Sequence, residues 1–172
     1  MLVPVQRTWT SGETVTAGMM NDDIRDAVNF LLSPPMASLR STANQSVNNA
    51  TETPVVFGAE DKDNDGIHST VSNTSRCTVA TAGWYNAWAQ LKYGSDPDGW
   101  RRAAFKVNGV GSTYGDARIP AVTGVDTTVA TFTKIPVALA VGDYVEVLAN
   151  HTAGAAINVE FPSYFGIEFS GT

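Results

Sequence analysis

The chain has few of the residues on which small enzymes and disulfide-stapled proteins depend. Its 172 residues include one cysteine, Cys77, and two histidines, His68 and His151. A lone cysteine excludes an internal disulfide framework, a CxxC redox site and a multi-cysteine zinc site. The histidines are far apart in sequence and form no HxH or HExxH pair. We therefore expect no catalytic metal site, no Ser-His-Asp triad and no enzymatic activity.

Charged residues are also scarce, at 16% of the chain against about 25% in an average domain. The 17 acidic and 11 basic residues give a net charge of −6, which argues against binding to nucleic acid or to an anionic membrane surface. No apolar run approaches the roughly 18 residues of a transmembrane helix. Residues 1–5 have no basic region and no long apolar run, so we expect no signal peptide.

A helical pattern occupies the N-terminal part of the chain and stops at Ser33-Pro34-Pro35, because the residue before a proline avoids the α region. Thr16 is the predicted N-cap. The helix carries a seam of apolar residues along one face. A short helix of this kind needs a partner for its seam, which is the body of its own domain, further copies of itself or a docking groove. Trp9, in the Thr-rich arm before the helix, is either an anchor or a cover for the helix start. We predict that residues 1–35 dock to a partner or oligomerise, through Trp9 and the seam. The 3-4-3-4 spacing puts these seam residues on one helix face: Ala17, Met20, Ile24, Ala27 and Leu31.

After the proline pair, residues 36–172 alternate with a period of two. The clearest run is 84–93, in which core-facing residues alternate with outward-facing ones. The outward-facing residues are Trp84, Asn86, Trp88, Gln90 and Lys92. Turn signals separate roughly eight or more such strands, which predicts an all-β sandwich or jelly roll. The predicted core-facing residues of the clearest run are Tyr85, Ala87, Ala89, Leu91 and Tyr93.

An ordered set of motifs in residues 37–170 resembles the C1q/TNF-type jelly-roll family. Ser75–Val79 followed by Ala82-Gly83-Trp84-Tyr85 resembles the family's passage into its third strand, and Val107-Asn108-Gly109 resembles its hairpin. Residues 140–145, AVGDYV, resemble its "L-x-x-G-D-x-V" strand start, and Phe165-Gly166-Ile167 resembles its closing strand. The resemblance implies a C1q/TNF-like jelly roll that assembles as a compact homotrimer.

Large aromatic residues lie outside the clearest core faces. Trp84, Trp88 and Tyr144 are opposite those faces or apart from them. A two-layer sandwich needs one apolar face per sheet, so additional aromatics predict a trimer interface. The alternative is that some faces are assigned with a one-residue error, which reverses them.

The N-terminal arm resembles the leader of minor tail and other virion proteins of actinobacterial phages. Residues 8–17, TWTSGETVTA, and residues 25–31, RDAVNFL, carry this resemblance. It implies a structural protein of the virion, at the tail or as head decoration, whose partners are other phage structural proteins. The alternative is an adhesin that binds host cell-wall glycan or protein through loops 94–100, 109–116 or 152–156.

Two further segments carry candidate ligand chemistry. Asp61, Asp63 and Asp65 are spaced as in the first half of a calcium loop, although flanking strands and Ser72 at the twelfth position exclude an EF-hand. The alternative is a solvated acidic turn, and no other cofactor is expected. A second segment offers aromatic and basic side chains to a sugar or carboxylate, or else forms only a strand end on a solvated face. The candidate ligand residues of that second segment are Trp100 and Arg101, and Tyr114 is a further candidate in the separate Gly-rich hairpin of residues 109–115.

Overall fold

Two antiparallel sheets stack face to face in this computed structural model, which describes residues 2–5, 7–133 and 136–172, without the side chains of 111–113. Within these residues, helices α1 (Ala17–Met20) and α2 (Asp26–Leu32) are joined by a π turn (Asn21–Arg25). The strands are β1 (Met36–Arg40), β2 (Gln45–Val47), β3 (Thr53–Pro54), β4 (Ala59–Asp63), β5 (Arg76–Thr78), β6 (Gly83–Tyr93), β7 (Trp100–Val107), β8 (Val110–Pro120), β9 (Thr127–Phe132), β10 (Val137–Leu139), β11 (Tyr144–His151) and β12 (Ile157–Gly171).

Sheet A is built around the two long strands β6 and β12. Strands β9 and β10 pair end to end with the free edge of β6, while β1 and β2 pair end to end with β12 and β4 pairs with β1. Sheet B has the order β8-β7-β11, with β3 and β5 on the far edge of β11. The predicted all-β sandwich is confirmed.

The core lies between the two sheets and follows the predicted alternation. All five core-facing residues predicted in β6 are buried. Phe165 of β12 bridges the layers, with ring centroids 5.6 Å from Phe57 and 6.1 Å from Phe105. The alternation of buried and exposed side chains along β6 gives this strand a fixed register.

The N-terminal helix differs from the uninterrupted α-helix that its spacing predicts. Thr16 is its N-cap, as predicted, and accepts a 3.2 Å hydrogen bond from the Met19 amide. The helix residue that packs on the sandwich is Phe30, whose ring makes an edge contact with Phe169 at 5.2 Å. The predicted seam is left mostly exposed. No helix among the described residues is long and apolar enough to cross a membrane.

Hydrogen bonds hold the Pro34-Pro35 junction against the sandwich. The Asn64 amide donates to Ser33 Oγ at 2.8 Å and to the Pro34 carbonyl at 2.7 Å. Its Oδ1 accepts from the Met36 amide at 2.7 Å. The junction is therefore a fixed corner, and the helix keeps a defined position on the jelly roll.

Candidate functional site

The outer face of sheet A exposes three large aromatic side chains, which we call the aromatic face: Trp84, Trp88 and Phe132. Their exposed fractions are 45%, 41% and 70%. Trp88 pairs with Phe132 across β6 and β9, and on its other side it lies over Gly166, where an added Cβ would clash with its ring. Sequence reasoning missed Phe132, although the alternation of residues 127–132 turns it outward.

Tyr144 is separate from the aromatic face because it lies on sheet B. Its ring is stacked by the Arg76 guanidinium at 4.1 Å, and its amide donates to Asn108 Oδ1 at 2.9 Å. The structure therefore brings together two of the three residues predicted at a trimer interface and leaves Tyr144 in a local contact.

The outer face of sheet B carries ion pairs. Arg102 binds both carboxylate oxygens of Asp116, at 2.8 and 2.9 Å, and also Glu52 at 2.6 Å. Lys106 lies 3.7 Å from Glu52. The hydrogen bonds to the two carboxylates raise the pKa of the Arg102 guanidinium, and the bond to Asp116 has the largest effect. Exposed apolar patches mark interaction surfaces, whereas surface ion pairs of this kind are well solvated and need no covering partner. Sheet A therefore provides the candidate self-association surface.

The N-terminal arm folds back onto the helix through Arg7. The Arg7 guanidinium pairs with Glu13, lies 3.4 Å from the Asp23 carboxylate and stacks over the Trp9 ring at 5.0 Å. Its hydrogen bond to Glu13 lowers the pKa of that carboxyl. Trp9 stays partly exposed. Of the predicted docking residues, Trp9, Met20, Ile24 and Leu31 are accessible, and Ala27 is half-buried.

Loops 94–100 and 152–156 meet at the end of the sandwich distant from the helix. The Thr152 amide donates to the Trp100 carbonyl, and the Trp100 amide donates to Thr152 Oγ1, each at 3.2 Å. Trp100 is half-buried and stacked by Arg118 at 4.1 Å. Arg118, 18 residues along the chain from Trp100, had no sequence signal as a partner.

Arg101 is inside the protein, where it shapes loop 94–100. Its guanidinium donates to the carbonyls of Asp96 and Asp98, both at 2.9 Å, and the residue is 0% exposed. The predicted ligand contact is therefore not presented at the surface. Arg101 instead closes the loop by donating to two of its backbone carbonyl oxygens.

Tyr114 lies apart from Trp100, on the hairpin at the opposite end of the sandwich. It is partly buried against the core. Its surroundings are irregular because β8 bulges: Asp116 pairs with Ala104 while Gly111 pairs with Lys106. Within the predicted contact loop 109–116, the side chains of 111–113 lie outside the described residues.

The acidic segment uses its carboxylates within the fold. Asp63 accepts backbone N–H groups from Asp65, Ile67 and His68, at 3.1, 3.0 and 2.8 Å. Asp61 pairs with an arginine of β1, and Asp65 accepts a threonine hydroxyl. The described residues contain no group of three His, Cys, Asp or Glu placed to hold a metal. Calcium binding stays a prediction from the motif.

Asp63→Ala is expected to destabilise the protein by about 2–3 kcal/mol, because three backbone donors lose a charged acceptor. Asp61→Ala is the matched control, since it removes only the exposed pair with Arg40 and should cost about 0.5 kcal/mol. Urea unfolding at pH 7 measures both. Equal effects of the two changes would contradict the structural role of Asp63.

Two separate motifs of the family resemblance meet at the end of the sandwich nearest the helix. Asn108 of the Asn-Gly hairpin donates to Asp143 Oδ1 at 2.8 Å, and the Ala140 amide donates to Asp143 Oδ2 at 2.8 Å. Asn108 has a φ of 52°, a conformation that asparagine tolerates well. Both hydrogen bonds lower the pKa of Asp143, and the one from the Ala140 amide has the larger effect.

Asp143 is expected to make stability depend on pH. Because its folded-state pKa is lowered, its stabilising effect is complete above the unfolded pKa of about 3.9 and is lost as pH falls through the folded pKa. Asp143→Asn should cost about 1 kcal/mol at pH 7. The difference from the unmodified chain should disappear near pH 2. Urea titrations at both pH values check this, and a constant difference would contradict it.

The histidines and the cysteine serve the fold. His68 lies 3.0 Å from a Glu60 oxygen and 3.2 Å from the Thr74 carbonyl, and His151 Nε2 lies 2.9 Å from the Val47 carbonyl. Burial raises the pKa of the Cys77 thiol well above its usual value. A cysteine nucleophile needs the opposite shift.

The chain is similar in structure to proteins of known fold. The globular domain of the zebrafish complement 1qA protein is 14% identical over 80% of this chain and 99% of its own, with a TM-score of 0.53. Murine APRIL is 14% identical over 79% of this chain and 98% of its own, with a TM-score of 0.54. Eiger TNF from S. frugiperda is 14% identical over 80% of this chain and 95% of its own, with a TM-score of 0.52. The chain therefore has the C1q/TNF-like jelly-roll fold that its motifs predict. In sequence it matches no protein-family model and no curated protein.

Proposed function

We propose that this chain is a non-enzymatic structural protein of a bacteriophage particle that assembles as a homotrimer. The N-terminal arm attaches to other virion proteins, and the jelly roll projects outward. The observation that carries the trimer is the contrast between the aromatic face of sheet A and the ion-paired face of sheet B. Three exposed aromatics on one flat face form the kind of patch that protein interfaces bury.

The particle assignment is supported by the resemblance of residues 8–17 and 25–31 to phage virion leaders. The exposed Trp9 supplies a contact group at the end of the molecule where docking is proposed.

Light scattering of the purified full chain tests the trimer. We expect three times 18.2 kDa. A mass of 18.2 kDa at micromolar concentration would refute it. Peptide mass spectrometry of particles of the phage that encodes the chain tests the location, since a structural protein must co-purify with intact particles. Its absence from them would refute the virion role.

A second candidate is a host-surface adhesin, favoured by the gathering of loops 94–100 and 152–156 at the far end, where Trp100 lies under Arg118. Aromatic and cationic groups side by side suit sugar or carboxylate ligands. The trimer should then bind host cell walls at micromolar concentration, and Trp100→Ala should reduce this binding. No binding at that concentration would reject the adhesin and leave the structural role intact.

A further inference from the structure

An open groove of about 520 Å³ lies between the N-terminal arm, the helix and the end of β12. Pro4, Val5 and Trp9 form its arm side, and Ala27 and Phe30 form its helix side. Its lining is mostly apolar, and the Arg7–Asp23 pair lies at its border. A cavity of roughly 150 Å³ holds one benzene-sized group, so this groove has room for about three apolar side chains.

The helix wall of the groove is fixed to the jelly roll, because Phe30 is packed on Phe169 and Asn64 holds the proline corner. Arg7 ties the arm wall to Asp23 of the helix. The helix and β12 walls are therefore preformed, so that filling the groove requires little further ordering of them.

An apolar ridge runs along the exposed flank of the same helix, next to the side that lines the groove. Met20, Ile24, Val28 and Leu32 follow one another at intervals of four residues, and their exposed fractions are 45%, 42%, 45% and 78%. Rows spaced by four are the ridges that pack into grooves between helices. The π turn strengthens this alignment, because its wider winding keeps residues four apart closer to one line than an α-helix does.

We infer that the ridge of one copy packs into the groove of the next copy, so that each groove is completed by a neighbouring chain. A ridge cannot enter the groove of its own chain, since both belong to one helix that is anchored to the jelly roll. Groove and aromatic face are continuous at the end of β12, where Gly171 lines the groove and pairs with Trp84. One neighbour can therefore cover both surfaces.

Such a contact joins unlike surfaces, and repeated contacts of this kind close into a ring when the rotation allows it. The inference rests on the proposed trimer, which supplies a threefold ring. It assigns the helix to assembly between copies. The part of Trp9 that faces away from the groove, together with the rest of the arm, is left for attachment to the particle.

Cross-linking of the full-length double variant Val5→Cys/Leu32→Cys tests this contact. Val5 and Leu32 are 85% and 78% exposed, so both changes should leave folding intact, and Cys77 is buried and protected. A short bis-maleimide reagent bridges thiols without the geometry that a disulfide demands. We expect denaturing gels to show products at two and three times 18.2 kDa and none larger.

Each single variant is a control, because one cysteine per chain cannot link three chains. The pair Val71→Cys/Leu32→Cys, with Val71 90% exposed on a distant loop, should stay monomeric on the gel. Light scattering before cross-linking separates the outcomes. A trimer mass with uncross-linked or internally bridged chains would overturn the ridge-and-groove contact alone, a monomer mass would overturn the trimer as well, and a ladder beyond three chains would overturn the closed ring.

Discussion

Trp88→Ser is expected to convert the proposed trimer into folded monomers. Trp88 lies at the centre of the aromatic face, between Phe132 and Gly166, and its ring points away from the core. Buried interface tryptophans commonly contribute at least about 2 kcal/mol each. Three equivalent sites give about 6 kcal/mol, which weakens assembly roughly ten-thousandfold. Light scattering across a micromolar concentration series measures the shift.

Trp100→Ser is the matched control for this experiment. Trp100 is also partly exposed, but it lies at the far end of sheet B beneath Arg118 and outside the aromatic face. Its replacement should leave the trimer intact. Far-ultraviolet circular dichroism confirms that both variants fold. If Trp88→Ser stays trimeric, the aromatic face is not the surface that joins the copies.

Phe30→Ala is expected to release the helix from the jelly roll. Phe30 is the buried residue of α2 and the one whose ring contacts Phe169. Truncation of a buried phenylalanine costs about 3–5 kcal/mol. A short helix without a packing surface is marginal in water, so its structure should melt while the sandwich persists. Hydrogen exchange should accelerate in α2 and remain slow in β6 and β12.

Val15→Ala provides the comparison for Phe30, because Val15 is 51% exposed just before the N-cap. Both changes are best made in Trp88→Ser chains, so that assembly does not protect the helix. Val15→Ala should leave exchange unchanged. Slow exchange throughout α2 after Phe30→Ala would show that other contacts hold the helix.

The sequence predicts the sandwich well because local alternation carries the information. Residues 84–93 show which side of β6 faces the core, and the buried Tyr85 and Tyr93 agree with it. The packing of the helix is harder to predict from sequence. The regular seam is mostly solvent-exposed, while Phe30, outside the seam, packs on a strand residue 139 positions later in the chain. Only the tertiary fold brings that strand to the helix.

The candidate ligand groups show a different limit. Asp63 has the spacing of a cation ligand, yet a carboxylate in a tight turn also suits nearby N–H groups, and here it binds three of them. Arg101 has the composition of a surface site, but its guanidinium lies where backbone carbonyls of loop 94–100 converge. Residue type and spacing do not distinguish a ligand from an internal partner when both offer the same atoms.

The proline corner held by Asn64 also determines how the molecule bears mechanical tension. Without a slack linker, a pull on the helix passes through Met36 into β1, which is paired with β12 on one side and β4 on the other. Inter-strand hydrogen bonds are perpendicular to the strands, so a pull along β1 loads them together in shear. A particle-bound jelly roll would resist drag as a rigid body, and its far loops would keep a constant angle to the surface beneath.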